Sequence, residues 1–191
     1  VKGESIMCGI AGIFHLETAK PVDPARVHGM IDAMPHRGPD GTGLWTAPGV
    51  GLGHCRLSII DLAGGAQPMA NADASLIVSY NGEIYNFAEV RAELQAHGHK
   101  FRTHGDTEVI LHAYRQWGEA CVERFNGMFA FALYEAATQS LWLVRDRLGV
   151  KPLHYAQVSD GSVIFGSELK ALLVHPLLRR APDLSAVEDY I

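Results

Sequence analysis

The chain opens its regular patterning at "CGIAGIFH", Cys8 to His15, a short apolar and partly β-branched run that predicts a buried strand. The period then changes. In "VDPARVHGMIDAM" the apolar residues Val27, Met30, Ile31 and Met34 recur at helical spacing, with Asp23 as N-cap and Pro24 at the first helical position. "PHRGPDGTG" predicts a loop, rich in residues that relax or fix the backbone. "GVGLGHCRLSIIDL" predicts a strand running into an irregular segment, and "SLIVSYNG" a strand closing on Asn-Gly, a pair suited to a turn with positive φ. Two amphipathic helices follow. "NFAEVRAELQAHGH" carries Val90 and Leu94 in its stripe with Gly98 as C-cap. "DTEVILHAYRQWG" is capped by Asp106 or Thr107, turns Val109, Ile110, Ala113 and Trp117 inward, and ends at Gly118. The rest alternates strands and tight turns: "MFAFALYEA", "LWLVRDR", "PLHYAQVS", a "DG" turn and "SVIFGSE". Strands, then two helices, then hairpin-linked strands predict antiparallel sheets covered by helices, an α+β layered domain.

Composition narrows the class. A length of 191 residues suits one large domain, and a formal net charge of -5 without clustered Lys/Arg gives no nucleic-acid footprint. No apolar run approaches the roughly 20 residues of a membrane span, and no signal peptide is recognisable, so a soluble, cytoplasmic protein without membrane or nucleic-acid partners is expected. The 3 cysteines lack CxxC spacing and the 10 histidines form no HExxH or similar cluster, so neither a disulfide framework nor a metal site is expected.

That leaves each cysteine as core filler or nucleophile. Cys8 directly follows Met7. An ordinary thiol with a pKa near 8.5 is only a few per cent ionised at neutral pH, and attack needs the thiolate. Removal of Met7 would give Cys8 an α-amine, with a pKa of about 7.7 to 8.0, as a base on its own residue. A buried structural cysteine is the competing reading. Strand alternation puts Cys55 and Arg56 on opposite faces, so only one of the two can face a site.

The motifs "MCGIAGIF", "HRGPDG", "GHCRLSIIDL", "YNGEIYN", "HGDTEVI", "FNGMFAFALYE", "RDRLGVKPLHY" and "FGSELKAL" occur in order across residues 7 to 174. In them the chain resembles the N-terminal glutaminase domain of class II, N-terminal nucleophile (Ntn) glutamine amidotransferases, within the glutamine-hydrolysing asparagine synthetase family. The resemblance implies a four-layer αββα sandwich of two antiparallel sheets, of the Ntn-hydrolase type. It implies that Cys8 attacks the side-chain amide of glutamine, and that Asn81 and Gly82 stabilise the oxyanion through a side-chain NH₂ and a backbone N–H. It further implies that Arg56 binds the substrate carboxylate, that Asp106 binds its ammonium, and that Leu57, Ser58, Ile59, Ile60 and the Gly82–Glu83 peptide line the pocket. Competing readings are an Asn-Gly turn at Asn81, a surface ion pair at Arg56 and a plain N-cap at Asp106. His36, Arg37 and Asp40 would support the mouth of the site, whereas Arg145, Asp146, Arg147 and Lys151 read as a charge network holding strands together.

No cofactor is expected in this domain. The resemblance implies a C-terminal synthetase domain in the same chain, using ATP and Mg to activate aspartate for the ammonia released. A sugar or exopolysaccharide precursor as acceptor, and a non-catalytic glutamine-binding module, are the alternatives; a homodimer is left open. The division expected is a leader over 1–6, the amidotransferase domain over 7–181, and the start of a truncated domain over 182–191. "VKGESI" would obstruct the proposed amine. Lys2-Gly3-Glu4 can be encoded by AAA GGA GAA, which contains a bacterial ribosome-binding sequence, so a mis-set start is expected there, with an expression scar or a cleaved propeptide as the alternatives.

Overall fold

A computed structural model describes residues 7–17, 20–57 and 65–181. The expected leader (1–6), the expected domain start (182–191) and Ser58, Ile59 and Ile60 lie outside the described residues.

Two antiparallel sheets form the centre. One has five strands: β1 (Gly9–Phe14), β2 (Gly41–Ala47), β3 (Val50–Arg56), β8 (His154–Gln157) and β9 (Val163–Gly166), in the order β2-β3-β1-β9-β8. The other has four: β4 (Met69–Ala70), β5 (Leu76–Ile84), β6 (Gly127–Glu135) and β7 (Ser140–Arg145), in chain order. The period-2 pattern decides what each face meets. Ile10, Val50, Leu52 and Phe165 of the first sheet pack against Ile77, Ala130, Ala132 and Tyr134 of the second. The opposite face of the first sheet, with Ala11, Ile13, Cys55 and Ile164, is covered by α1 (Pro24–Asp32) and α4 (Leu169–Leu173). Val78, Phe131 and Leu133 of the second sheet meet Ile110 and Leu111 of α3 (Thr107–Trp117), on which α2 (Phe87–Ala96) packs through Val90 and Leu94. Helix, sheet, sheet, helix is thus the layer order, as the resemblance implies.

Helix signals translate directly into structure. Asp23 accepts from the Ala25 N–H at 2.9 Å, and Val27, Met30, Ile31 and Met34 are buried. Gly98 adopts φ 90° and closes α2 with His99 N–H to Leu94 C=O and Gly98 N–H to Gln95 C=O, the paired bonds of a Schellman end.

Several expectations are corrected. The "PHRGPDGTG" loop ends at Gly41, where β2 begins and pairs along its whole length with β3. β2 is an edge strand whose residues are exposed or half-buried, so it lacks the apolar alternation that marks a strand. β5 does not end on Asn81-Gly82: it continues to Ile84, pairing Asn81 with Ala130 and Gly82 with Phe129, and Gly82 has no positive φ. A 3-10 segment at Gly118–Arg124, β4 and the short α4 carry no periodicity of their own and were not predicted. The charge network does not form as expected. Asp146 accepts backbone N–H groups from Phe129, Val150 and Lys151, and Arg145 donates to the Gly149 and Lys151 carbonyls. Arg147 is exposed. These side chains pin a turn by bonding its main chain.

No helix among the described residues is long and apolar enough to cross a membrane.

Candidate active site

The start of β1, the end of β3 and the outer edge of β5 converge on one cleft of about 240 Å³. Cys8, Arg56, Leu57, Asn81, Gly82, Glu83 and Asp106 all line it, so every site residue expected from sequence and described in the structure is brought together. Cys8 Sγ accepts from the Leu57 N–H at 3.3 Å and faces the Leu57 carbonyl at 3.5 Å. Burial raises the thiol above its ordinary value, while the Leu57 main chain and the charges of Arg56 and Lys151 pull it down.

Cys55 behaves as alternation requires. It is buried on the α1 face, with Sγ 3.5 Å from the Ile31 carbonyl, and burial pushes its thiol up to about 12. The buried Cys121 is likewise pushed up to about 12. Of the three thiols, that of Cys8 opens on the cleft.

The edge of β5 supplies polar groups in a set order. β4 covers this edge only opposite Ile77 and Val78. Beyond it, the Tyr80 N–H donates to Gln67 Oε1 at 2.7 Å and the Ile84 N–H to Asp106 Oδ2 at 3.1 Å. N–H groups of alternate residues in a strand point to the same edge, so the Gly82 N–H lies between these two and points into the cleft. A Cβ on Gly82 would stand 2.4 Å from the Met128 carbonyl oxygen and 2.6 Å from Phe129 Cα, so only glycine fits there. One position earlier, Asn81 is 1 % exposed, and its Nδ2 has no hydrogen-bond partner among the described residues. An unpartnered buried amide NH₂ costs on the order of 1–3 kcal/mol. Such a donor beside a thiol is matched to an oxygen that arrives with a ligand.

Asp106 occupies the N-cap position of α3, but its side chain makes no cap bond. It accepts instead from the Tyr80 hydroxyl at 2.6 Å and the Ile84 N–H. Burial, and then Asp106 itself, hold the Tyr80 hydroxyl well above its ordinary value, so it remains a donor. The plain N-cap reading is thereby overturned. Asp106 is a buried anion aimed at the cleft, fixed from two sides.

The "HRGPDG" loop braces this arrangement. Arg37 donates through Nη1 to the Cys8 carbonyl at 3.4 Å and through Nε to Glu168, which also bonds His36 and Lys170. These three partners draw the Glu168 carboxyl down to about 2, against the opposing effect of its burial. The Asp40 N–H donates to the Arg56 carbonyl, and a Cβ on Gly38 would stand 2.2 Å from the Cys55 carbonyl carbon, so the loop presses onto the strand end that carries Arg56.

Sequence reasoning missed Gln67, Tyr80 and Lys151 as lining residues. Tyr80 had a signal: it stands two positions before Gly82 in a period-2 strand. Gln67 lies in a stretch without any pattern. Lys151 was hidden in a charge-rich motif that reads as structural.

Comparison with known proteins agrees with this geometry. The family described as "Glutamine amidotransferase domain" matches residues 7–191. Asparagine synthetase [glutamine-hydrolyzing] 3 of Bacillus subtilis (strain 168) is 41% identical over 186 residues, which is 96% of this chain and 30% of that protein. Asparagine synthetase [glutamine-hydrolyzing] 2 of Oryza sativa subsp. japonica is 41% identical over 166 residues, 87% of this chain and 28% of that protein. The chain thus spans about 30% of the length of such relatives. In fold it is similar to the glutamine phosphoribosylpyrophosphate amidotransferase of B. subtilis, with a TM-score of 0.72 and 20% identity, over 87% of this chain and 43% of that one. A cleft holding Cys8, Asn81 and Gly82 and a family match over nearly the whole length lead to one conclusion: the chain belongs to the glutamine amidotransferase domain family.

Proposed function

We propose that the chain hydrolyses glutamine to glutamate and ammonia through Cys8 once Met7 has been removed. The observation carrying this reading is the convergence, in the cleft that Cys8 lines, of Asn81 Nδ2, unpartnered among the described residues, and the outward Gly82 N–H. The α-amine of Cys8 takes the thiol proton as sulfur bonds to the amide carbon, and the carbonyl oxygen becomes an oxyanion received by the two donors. The same amine then protonates the departing nitrogen. Ammonia leaves and a γ-glutamyl thioester remains. Water attacks the thioester, gives its proton to the amine, and the thiol is regenerated as glutamate departs. Arg56 holds the substrate carboxylate and Asp106 its ammonium, fixing the amide over sulfur.

The ammonia serves a C-terminal synthetase domain that uses ATP and Mg, with aspartate as acceptor. The relatives are glutamine-hydrolysing asparagine synthetases by name and are longer than this chain, which supports this part of the reading. Protein expressed from Met7, and verified by intact mass to begin at Cys8, is expected to release glutamate and ammonia from glutamine. Cys8→Ala is expected to release neither, and activity persisting in that variant removes Cys8 as nucleophile. Asparagine formed from aspartate, ATP and glutamine by the full-length protein tests the acceptor.

A further inference from the structure

Lys151 is 3 % exposed and lines the cleft. Lysine is almost never that buried without a partner, yet among the described residues its ammonium joins no ion pair with a carboxylate. Its main chain is fixed at both ends: the N–H donates to Asp146 at 2.9 Å and the carbonyl accepts from Arg145 at 2.8 Å. Its Nζ contacts the Met7 thioether, the side chain of the residue whose removal uncovers the Cys8 amine. Burial, and then the charge of Arg37, lower the Lys151 ammonium below its ordinary value.

We propose, resting on the glutaminase reading above, that Lys151 sets the charge state of the nucleophile: its ammonium, left facing the new α-amine when Met7 departs, disfavours a second cation there and favours the thiolate. The competent pair is amine plus thiol, or its zwitterion, each of net charge zero. The fully protonated pair is cationic and cannot act as base. A fixed positive charge at short range raises the free energy of that cationic form and lowers the pH at which the pair becomes competent. Other charged and titratable groups surround the pair: Asp106 and Tyr80 line the same cleft, the carboxylate held by the Tyr80 hydroxyl and the Ile84 N–H. Arg56 stands at the end of β3 and adds to the effect. Arg37 is held by Glu168 and bonds the Cys8 carbonyl. Glu83 on β5 opposes Lys151, and Asp146 is occupied by three N–H groups. His54, buried between the sheets and pushed down to about 4, is neutral in the working range.

The test uses protein beginning at Cys8. Two profiles are measured from pH 5 to 9 in wild type, Lys151→Met, Lys151→Gln and Lys151→Arg: kcat/KM for glutamine hydrolysis, and the rate of Cys8 alkylation by iodoacetamide. The acid limb of kcat/KM reports the free enzyme. In Lys151→Met it is expected to move up by about one pH unit, costing about tenfold at the foot of the limb with little change on the plateau, and Lys151→Arg is expected to restore it. An unmoved limb overturns the proposal, as does an Arg variant displaced as far as the Met variant, which would make the role one of packing. Where Lys151→Met fails to fold, the Gln and Arg variants carry the same comparison. Inactive wild type, or active Cys8→Ala, defeats the glutaminase reading instead, and the alkylation profile still reports on Lys151.

Discussion

At the scale of single residues, the site is a set of donors and charges fixed before any substrate arrives. Asn81 Nδ2 is buried and unpartnered among the described residues, so its desolvation cost is met by folding and recovered when an oxygen enters. Asn81→Ala is therefore expected to lower kcat by about 10²–10³ with little change in KM, as read from steady-state kinetics. Asp106→Asn keeps the shape but removes the anion that the Tyr80 hydroxyl and Ile84 N–H hold in place. KM for glutamine is expected to rise by roughly tenfold or more, the scale of one charge-assisted bond, and unchanged kinetics would take Asp106 out of the site. The residues named by motif were legible at this scale through the ordered series of motifs that carries the resemblance, since an Asp before a helix or a Cys in an apolar strand is by itself ordinary. Their mutual geometry was not legible. Asn81-Gly82 favours a turn by local chemistry alone, and pairing with β6 overrides that preference. Asp106 has the identity of an N-cap, and its side chain is taken up by Tyr80 on a strand 26 positions away.

At the scale of elements, the three longer helices declared themselves, and the short α4 and the weak strands did not. α1 was readable from its stripe and cap because both signals are local. Asp23→Ala is expected to cost about 1 kcal/mol, a fall of about 2–4 °C in Tm in a thermal melt. β2 was hidden because an edge strand need not alternate, and it exists through pairing with β3. β5 is the element that the function leans on most. Gly82→Ala puts a methyl group against the backbone of β6 and is expected to lower stability by about 1–3 kcal/mol or more, seen as a lower Tm, and to lose activity with it.

At the scale of the whole molecule, titration couples the interior to pH. His54 is fully buried between the sheets, its Nε2 donating to the Tyr80 carbonyl, and burial lowers it from 6.5 to about 4. Between those values the unfolded chain binds a proton that the folded one refuses, so stability falls as pH drops from about 6.5 towards 4, by on the order of 3 kcal/mol. His15, His112 and His175 are displaced in the same direction by burial. Glu168 adds a loss of the same sign at lower pH, because its depressed carboxyl gives up its stabilising charge on the way down to about 2. Thermal melts across pH 4–7 are expected to show this decline, and His54→Gln, which keeps a donor but cannot titrate, is expected to flatten it. That antiparallel sheets are covered by helices was legible at this scale from the sequence of strands and helices, whereas the four-layer order came only through the resemblance. How the two sheets face each other was not legible, since it rests on Ile10, Leu52, Ile77 and Ala130 packing in one cluster between them, which no local pattern encodes.

Among the described residues, β4 pairs with the outer edge of β5 only at Ile77 and Val78, which leaves the rest of that edge without a partner strand. An unpaired strand edge is a template on which another chain can lay a strand of its own. Here two of its donors are capped by side chains, Gln67 at Tyr80 and Asp106 at Ile84, and Gly82 between them lines the cleft. The groups that line the cleft thus also occupy donors that a strand of a neighbouring molecule would need.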